Sequence, residues 1–118
     1  MDIEFDPDQF LNGWAPPEHV QRRIVCAAVK YGEGKDALVV CAPRHHDPRM
    51  NHTLGKLRED KLFDFEVAGR AEQGFVDQFG LFLNRTEAWH IAVAANQITD
   101  RCPKDRWDDE TLYSEWLY

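Results

Sequence analysis

The sequence predicts an α+β domain, a compact and mainly antiparallel β-sheet with two packed α-helices. Two apolar, β-branched runs joined by a turn of hairpin length, at residues 23–31 and 37–42, indicate antiparallel strands. Two capping signatures followed by apolar residues at helical spacing, at residues 47–57 and 84–95, indicate the helices. The 118 residues match the common size of one domain and can bury an independent core.

The chain divides into an arm and a domain. Residues 1–20 are expected to form an N-terminal arm, and residues 21–118 a single α+β domain. Pro7, Pro16 and Pro17 interrupt regular structure in the arm. Its aromatic side chains can either pack on the domain or contact another subunit, and both interpretations stay open.

The charge and hydropathy narrow the class of partner. The formal net charge is −7, whereas proteins that wrap duplex DNA or coat anionic membranes present basic surfaces. The acidic N-terminus lacks the basic and apolar regions of a secretory signal, and no apolar run reaches the roughly 20 residues of a membrane span. We therefore expect a cytoplasmic protein that binds neither DNA nor membranes.

The predicted hairpin turns at residues 32–36. Both of its strands are almost continuously apolar, which is typical of central strands that are covered on both faces. Cys26 and Cys41 lie in these strands, and with Cys102 they make an odd number that contains no CxxC pair. We expect all three to be buried, reduced thiols.

The first helix begins at a local signature. Asp47 followed by Pro48 is typical of a helix start, because a capping carboxylate precedes proline at the first helical position. Met50, Leu54 and Leu57 then form one apolar stripe. The stripe predicts that this helix packs on the sheet.

The segments after this helix differ in character. Residues 62–68 alternate between apolar and acidic side chains, which predicts a half-buried strand. Residues 99–109 are polar and contain Pro103, which predicts a loop. Residues 113–118 are rich in aromatic side chains, which predicts docking on the body of the domain or on a second subunit.

Residues 71–85 predict a binding surface. They place amides, carboxylates and two glycines beside phenylalanines, a combination that suits a planar, polar ligand such as a nucleobase. No residue in this segment is an obvious nucleophile. It leads into the second helix, where Asn84 and Glu87 form a capping box and Ala88 and Ile91 begin an apolar stripe.

The run Arg44, His45, His46 and Asp47 lies between a strand and a helix start. Exposed backbone N–H groups there can bind an anion and an arginine can add a bidentate phosphate contact, although Asp47 can equally be only a cap. Metal binding by these histidines with His52 is disfavoured, because their spacing matches no known metal signature. We predict no metal site.

The motifs, taken in order, resemble one known family. RIVCAAVKY, CAPRHHDPRMN, AEQGFVDQFGLFLNRTEAWHIA, NQI and LYSEWLY follow one another across residues 23–118. In this order they resemble the first-described Thoeris anti-defence family, small phage proteins that act as nucleotide sponges. The arm has no counterpart in the resemblance, and His46 stands where the family pattern has an aromatic residue.

The resemblance implies a function without catalysis. Such proteins sequester the glycocyclic ADP-ribose signal that a bacterial TIR-domain enzyme makes, and they hold it intact in the cytoplasm of the infected host. The resemblance also allows cyclic di- or trinucleotides of CBASS immunity to bind at separate sites in a hexamer. The nucleotide pocket lies between two subunits, so we expect a homodimer or a hexamer. No catalytic residue, metal or cofactor is implied.

The resemblance also implies which residues bind the ligand. A phenylalanine, Phe79 before Phe75, stacks on adenine, and amide and carboxylate side chains bind the base or ribose. An arginine of one subunit, helped by Arg106 of the partner, neutralises the pyrophosphate. The ligand-binding residues implied are Arg44, His45, Gln73, Phe75, Asp77, Phe79, Asn96 and Arg106.

Two alternatives belong to other classes of protein. The first is an enzyme that cleaves a cyclic nucleotide, with His45 or His46 as general acid or base. The second is an inhibitor that uses the acidic surface to bind a partner protein. Recovery of intact or linear nucleotide after incubation separates the sponge from the enzyme.

Overall fold

The computed structural model describes residues 20–118, so nearly all of the predicted arm lies outside the described residues. Within this range the strands are β1 (Ile24–Tyr31), β2 (Leu38–Ala42), β3 (Glu72–Asp77) and β4 (Phe82–Asn84). The α-helices are α1 (Pro48–Glu59), α2 (Phe65–Ala68) and α3 (Arg85–Ala94), and 3₁₀ helices occur at Gly34–Asp36, Lys104–Asp109 and Ser114–Trp116. None of these helices combines the length and apolar character needed to span a membrane.

The strands form one antiparallel sheet in the order β2-β1-β3-β4, which confirms the predicted α+β class. The β1–β2 hairpin forms as predicted, with Val29 opposite Val40. On the other side of β1, Ala27 lies opposite Phe75, and Phe75 in turn lies opposite Leu83 of β4. Strand β1 is therefore central, and β3 links it to the strand that leads into α3.

Strand β2 corrects the prediction that both hairpin strands are covered on both faces. Among the described strands β2 lies at an edge, and its side chains alternate, with Val39 exposed and Val40 buried. The burial predicted for the thiols holds for Cys102, whereas Cys41 is exposed and Cys26 is partly buried. Apolar composition marked the strand correctly, but strand order decides which of its side chains are covered.

Helix α1 begins where the sequence predicts. The Asp47 carboxylate accepts a hydrogen bond of 2.8 Å from the backbone N–H of Met50, and Pro48 is the first helical residue. Met50 and Leu54 are buried against the sheet beside Val29, and Leu57 packs at the edge of the same group. This hairpin cluster, made by β1, β2, α1 and α2, is one half of the core.

The strand predicted at residues 62–68 is wrong, because the structure has helix α2 at Phe65–Ala68. The carboxylate of Asp64 accepts a hydrogen bond of 3.0 Å from the backbone N–H of Val67, and a helix of four residues follows. Phe65 packs edge-on against Tyr31 at 4.9 Å between ring centroids, whereas Val67 is 83% exposed. The aspartate cap therefore favours a helix here, although the alternation of apolar and acidic side chains is typical of a strand.

Helix α3 and the end of the chain form the other half of the core. The predicted capping box is present, since the side chain of Asn84 binds the N–H of Glu87 and the side chain of Glu87 binds the N–H of Asn84. Leu112 and Trp116 are buried with α3, which confirms that the C-terminal segment docks on the body of the domain. This C-terminal cluster also contains Phe75 of β3.

Candidate functional site

The C-terminal segment carries aromatic rings that lie under three arginine side chains. The guanidinium carbon of Arg44 is 4.5 Å from the centroid of the Tyr118 ring, and that of Arg85 is 5.0 Å from the Tyr113 ring. Arg106 lies 5.5 Å from the same Tyr113 ring. All three arginines are only partly buried. We call Arg44, Arg85 and Arg106 the arginine cluster.

Arg85 is the central member of the cluster. It is the first residue of α3, and its guanidinium donates hydrogen bonds to the Leu112 carbonyl at 2.7 Å and to the Gln73 side-chain oxygen at 2.6 Å. Partial burial lowers the pKa of the Arg85 guanidinium, although the group stays charged. Both hydrogen bonds end on neutral oxygen atoms. The Glu115 carboxylate also interacts electrostatically with Arg85. A half-buried guanidinium whose hydrogen bonds end on neutral oxygen atoms favours an anionic ligand.

Arg44 occupies the connection between β2 and α1. Its guanidinium donates hydrogen bonds to the Tyr118 carbonyl and, at 3.3 Å, to the Pro43 carbonyl. The Tyr118 hydroxyl donates to the same Pro43 carbonyl at 2.7 Å. These contacts hold the Arg44 side chain against the C-terminal segment.

Arg106 differs from the other two because it has an acidic partner. Its Nε donates to the Asp109 carboxylate at 2.5 Å within the 3₁₀ helix Lys104–Asp109. This hydrogen bond raises the pKa of the Arg106 guanidinium. Part of the Arg106 charge is thereby compensated, so of the two arginines over the Tyr113 ring Arg85 is the stronger anion-binding group.

His45 lies beside Arg85 and joins the cluster to the sheet. Its Nε2 is 2.7 Å from the Gly74 carbonyl oxygen, so Nε2 carries the proton and donates. The ring packs edge-on against Phe75 at 5.1 Å between centroids. Burial lowers the pKa of His45, the Gly74 hydrogen bond opposes this, and the charge of Arg85 lowers it further. The imidazole is therefore neutral at neutral pH, with Nδ1 as a hydrogen-bond acceptor.

Gln73 and Phe75 have different positions in β3. Gln73 is exposed and hydrogen-bonds Arg85, which places it in the cluster as predicted for a polar ligand-binding group. Phe75 is completely buried under His45 and Arg85. In this structure Phe75 supports the site from below and presents no face on which a base could stack.

Asp77 is part of a turn and of a buried ion pair. Its carboxylate binds the Arg22 guanidinium at 2.6 Å, and it accepts hydrogen bonds from the backbone N–H groups of Phe79 at 2.9 Å and Leu81 at 3.0 Å. Asp77 is 2% exposed. Its oxygen atoms are engaged within the protein, so its role here is to hold the β3–β4 turn.

Phe79 and Asn96 lie at the far end of the sheet from the arginine cluster. Phe79 is partly buried in the β3–β4 turn, and Asn96 is exposed just after α3. The neighbouring Gln97 side chain accepts from the Ile24 N–H and donates to the Ile24 carbonyl, both at 2.8 Å. The four residues of β3 beyond Gln73 span about 13 Å. One subunit therefore separates the predicted binding residues into two groups.

Comparison with known proteins gives the family. The model of the phage T4 y16D protein family matches residues 23–118, which is most of the chain. The chain belongs to this family. No curated protein and no solved structure matches the sequence significantly. The protein is thus a phage protein, and the match begins where the predicted arm ends.

Sequence analysis of this y16D-family protein missed Arg85 as a candidate site residue. Asn84 and Glu87 carry the capping-box signature, and Arg85 is one of the two residues between them. A signal was available, because a positive charge in the first turn of a helix opposes the helix dipole. An arginine at such a position needs a compensating role, and here it joins β3 to the C-terminal segment.

Two other histidines of the y16D-family protein, His46 and His52, lie outside the cluster. His46 is exposed, has a positive φ of 54°, and its backbone N–H lies 3.2 Å from the Met50 sulfur. His52 is exposed on α1. In the part of the chain that the structure describes, no three His, Cys, Asp or Glu side chains come together as a metal-binding group.

Proposed function

We propose that this phage protein binds a cyclic ADP-ribose isomer, of the kind made by bacterial TIR-domain enzymes, and holds it without breaking a bond. The arginine cluster is the observation that carries the proposal. It gathers three guanidinium groups on the C-terminal segment of a chain whose net charge is −7. Such a local positive field favours a small phosphorylated ligand over an extended nucleic acid.

The pyrophosphate is the part of the ligand that suits Arg44 and Arg85. A guanidinium can bind a phosphate with two parallel hydrogen bonds, and it does so more strongly than a neutral donor. The aromatic rings beneath Arg44 and Arg85 restrict their side chains before binding. Less conformational entropy is then lost when the phosphate binds.

The polar groups beside the arginines suit a base or ribose. Neutral His45 offers Nδ1 as an acceptor, and the exposed Gln73 amide offers both a donor and an acceptor. A pocket shared by two subunits would let Phe79 and Asn96 of one copy approach the cluster of the other. The separation of the two groups within one subunit supports this arrangement, in a homodimer or in a hexamer built from such pairs.

Sequestration requires tight binding and no turnover. If the host effector responds to micromolar signal, a sponge must bind with nanomolar affinity, or about 12 kcal/mol. A pocket closed between two chains can reach this value because it buries most of the ligand. We propose that the protein acts in this way in the cytoplasm of the infected bacterium, where the signal is made.

Calorimetry and recovery of the ligand test the proposal. The protein is titrated with cyclic ADP-ribose isomers and with cyclic di- and trinucleotides, then denatured, and the released molecules are analysed by mass spectrometry. We expect tight binding of a cyclic ADP-ribose isomer and its recovery unchanged. A linear product would instead establish cleavage, with His45 or His46 as the first residues to examine. Absence of binding to the whole panel would overturn the proposal and favour a protein-binding inhibitor.

Arg44→Ala locates the site. Loss of one charge-assisted contact to a phosphate should weaken binding by about 1.5–3 kcal/mol, or roughly 10- to 150-fold. Arg49→Ala is the matched control, because Arg49 is an exposed arginine on α1 outside the cluster. Native mass spectrometry of both variants reports subunit stoichiometry and ligand together. Equal affinities for Arg44→Ala and Arg49→Ala would place the pocket elsewhere.

A further inference from the structure

Two free thiols lie side by side on the sheet. Ala28 of β1 is opposite Cys41 of β2, and Ala27 is opposite Ala42, so Cys26 and Cys41 are diagonal neighbours on the same face. The two thiols therefore lie beside each other across the β1–β2 pair. Neither thiol belongs to the candidate site.

The two thiols differ in access to solvent. Cys41 is exposed on the edge strand β2, whereas Cys26 is partly buried on central β1. The third cysteine, Cys102, is 5% exposed and its sulfur lies 3.6 Å from the Pro103 carbonyl. A reagent in solution can therefore approach Cys41 directly and meets Cys102 only if the core opens.

The interaction between the two thiols changes their pKa values in opposite directions. Donation from Cys26 lowers the pKa of Cys41 to about 7, against the opposing effect of partial burial. The same interaction raises the pKa of Cys26, which remains a protonated donor. Other ionisable groups on this side are Lys30, on the same face of β1, and Tyr118, which interacts electrostatically with Cys26. The lowered pKa increases the fraction of Cys41 that is thiolate at neutral pH, and thiolate is the nucleophilic form.

We infer that Cys41 is a modification site for low-molecular-weight disulfides such as oxidised glutathione, and that the Cys26 thiol beside it on the same face activates it. The Cys41 thiolate attacks one sulfur of the glutathione disulfide, a Cys41–glutathione S–S bond forms, and the glutathione S–S bond breaks. The second glutathione leaves as a thiolate and takes a proton from water. Cys41 is oxidised and the departing glutathione is reduced.

Mass spectrometry of the full chain treated with oxidised glutathione tests the site. We expect one glutathionyl adduct on Cys41, none on Cys102 in the folded protein, and removal of the adduct by a reducing agent. An internal Cys26–Cys41 bond, seen as the loss of two hydrogens, also supports the inference because it forms through the same adduct. Reaction at Cys102 as fast as at Cys41, or no adduct at all, would overturn it.

The pH dependence of alkylation tests the role of Cys26. The rate of Cys41 alkylation by iodoacetamide should rise with a midpoint near pH 7 in the natural protein. In Cys26→Ala the midpoint should move toward the ordinary thiol value of about 8.5. Cys26→Ser keeps a donor and should retain a lowered midpoint, which a merely structural role would not produce. Identical midpoints in all three proteins would contradict activation by Cys26. Failure of either test leaves the proposed nucleotide site unaffected, because nucleotide binding as proposed uses neither thiol.

Discussion

The two halves of the core are held together in different ways. The C-terminal cluster joins residues far apart in sequence, and beside it lies the buried Arg22–Asp77 ion pair. The hairpin cluster is bordered by exposed pairs three residues apart, such as Lys56–Glu59, and by a cleft of about 390 Å³. Local contacts are made and broken without disturbing the rest of a domain. Arg85 and Arg106 therefore lie on the half that long-range contacts hold together, and Arg44 contacts that half from the β2–α1 connection.

Loss of the buried ion pair should give the largest difference in the free energy of unfolding between substitutions in the two halves. Asp77→Ala removes the carboxylate that is paired with the buried Arg22 guanidinium, and with it two hydrogen bonds of the β3–β4 turn. We expect the free energy of unfolding to fall by about 3–5 kcal/mol. Glu59→Ala, in an exposed pair of the other half, should change it by less than about 1 kcal/mol. Urea denaturation of both variants measures this, and similar losses would show that the halves do not differ.

A glycine in each half gives the next largest contrast. At Gly74 an added Cβ would lie 2.2 Å from the Leu83 carbonyl oxygen and 2.6 Å from the Phe82 ring, so backbone as well as side chain must move. Gly74→Ala should cost about 1–3 kcal/mol in the free energy of unfolding.

Gly55→Ala is the control for this substitution. Gly55 lies inside α1, and an added Cβ there meets no other atom within 4 Å. Alanine should therefore stabilise the protein by about 0.5–1 kcal/mol through helix propensity. Thermal and urea denaturation give both values. If Gly74→Ala proved neutral, the close approach of β3 and β4 would not be needed for the fold.

The smallest predicted effect concerns His45, which lies where the two halves meet. Its pKa is lowered in the folded state from the ordinary value of 6.5. The unfolded chain then binds more protons in acid, so stability falls as pH drops from about 6.5 through the folded-state pKa, and His45 contributes no such change above that window. In His45→Gln this part of the pH dependence should disappear. Denaturation from pH 4 to 8 measures it, and an unchanged slope would contradict a buried neutral imidazole.

Sequence reasoning succeeded where the determinant was local. The starts of α1 at Asp47 and of α3 at Asn84 follow from caps within four residues, and both are confirmed. The edge position of β2 depends on which strand pairs with β1 on its other side, and that partner begins 30 residues beyond β2. The failure at residues 62–68 had a local cause, since Asp64 was read as one face of a strand when it is a cap.

The residue types of the candidate site could be predicted from the sequence, but their positions relative to one another could not. Arg44, His45 and Gln73 are predicted from the sequence. In the structure β1–β3 pairing brings His45 and Gln73 beside Arg85, and docking of the C-terminal segment holds Arg44 against Tyr118. Asp77 is predicted to bind ligand for the same polar character, yet its carboxylate already binds the Arg22 guanidinium and the Phe79 backbone N–H. Residue type indicates what a side chain can bind, whereas burial and internal partners decide whether it is available.

The Gln97 side chain reproduces the hydrogen-bonding pattern of a neighbouring strand. By accepting from and donating to the backbone of Ile24, it closes the first position of β1 to any other peptide and fastens the end of α3 there. One carboxamide thus links Ile24 and Gln97, which are 73 residues apart in the chain. Unfolding at the start of β1 therefore also breaks the contact that holds the residues after α3. A glutamate at the same position would keep the acceptor and lose the donor, so the hydrogen bond to the Ile24 carbonyl depends on a single nitrogen atom.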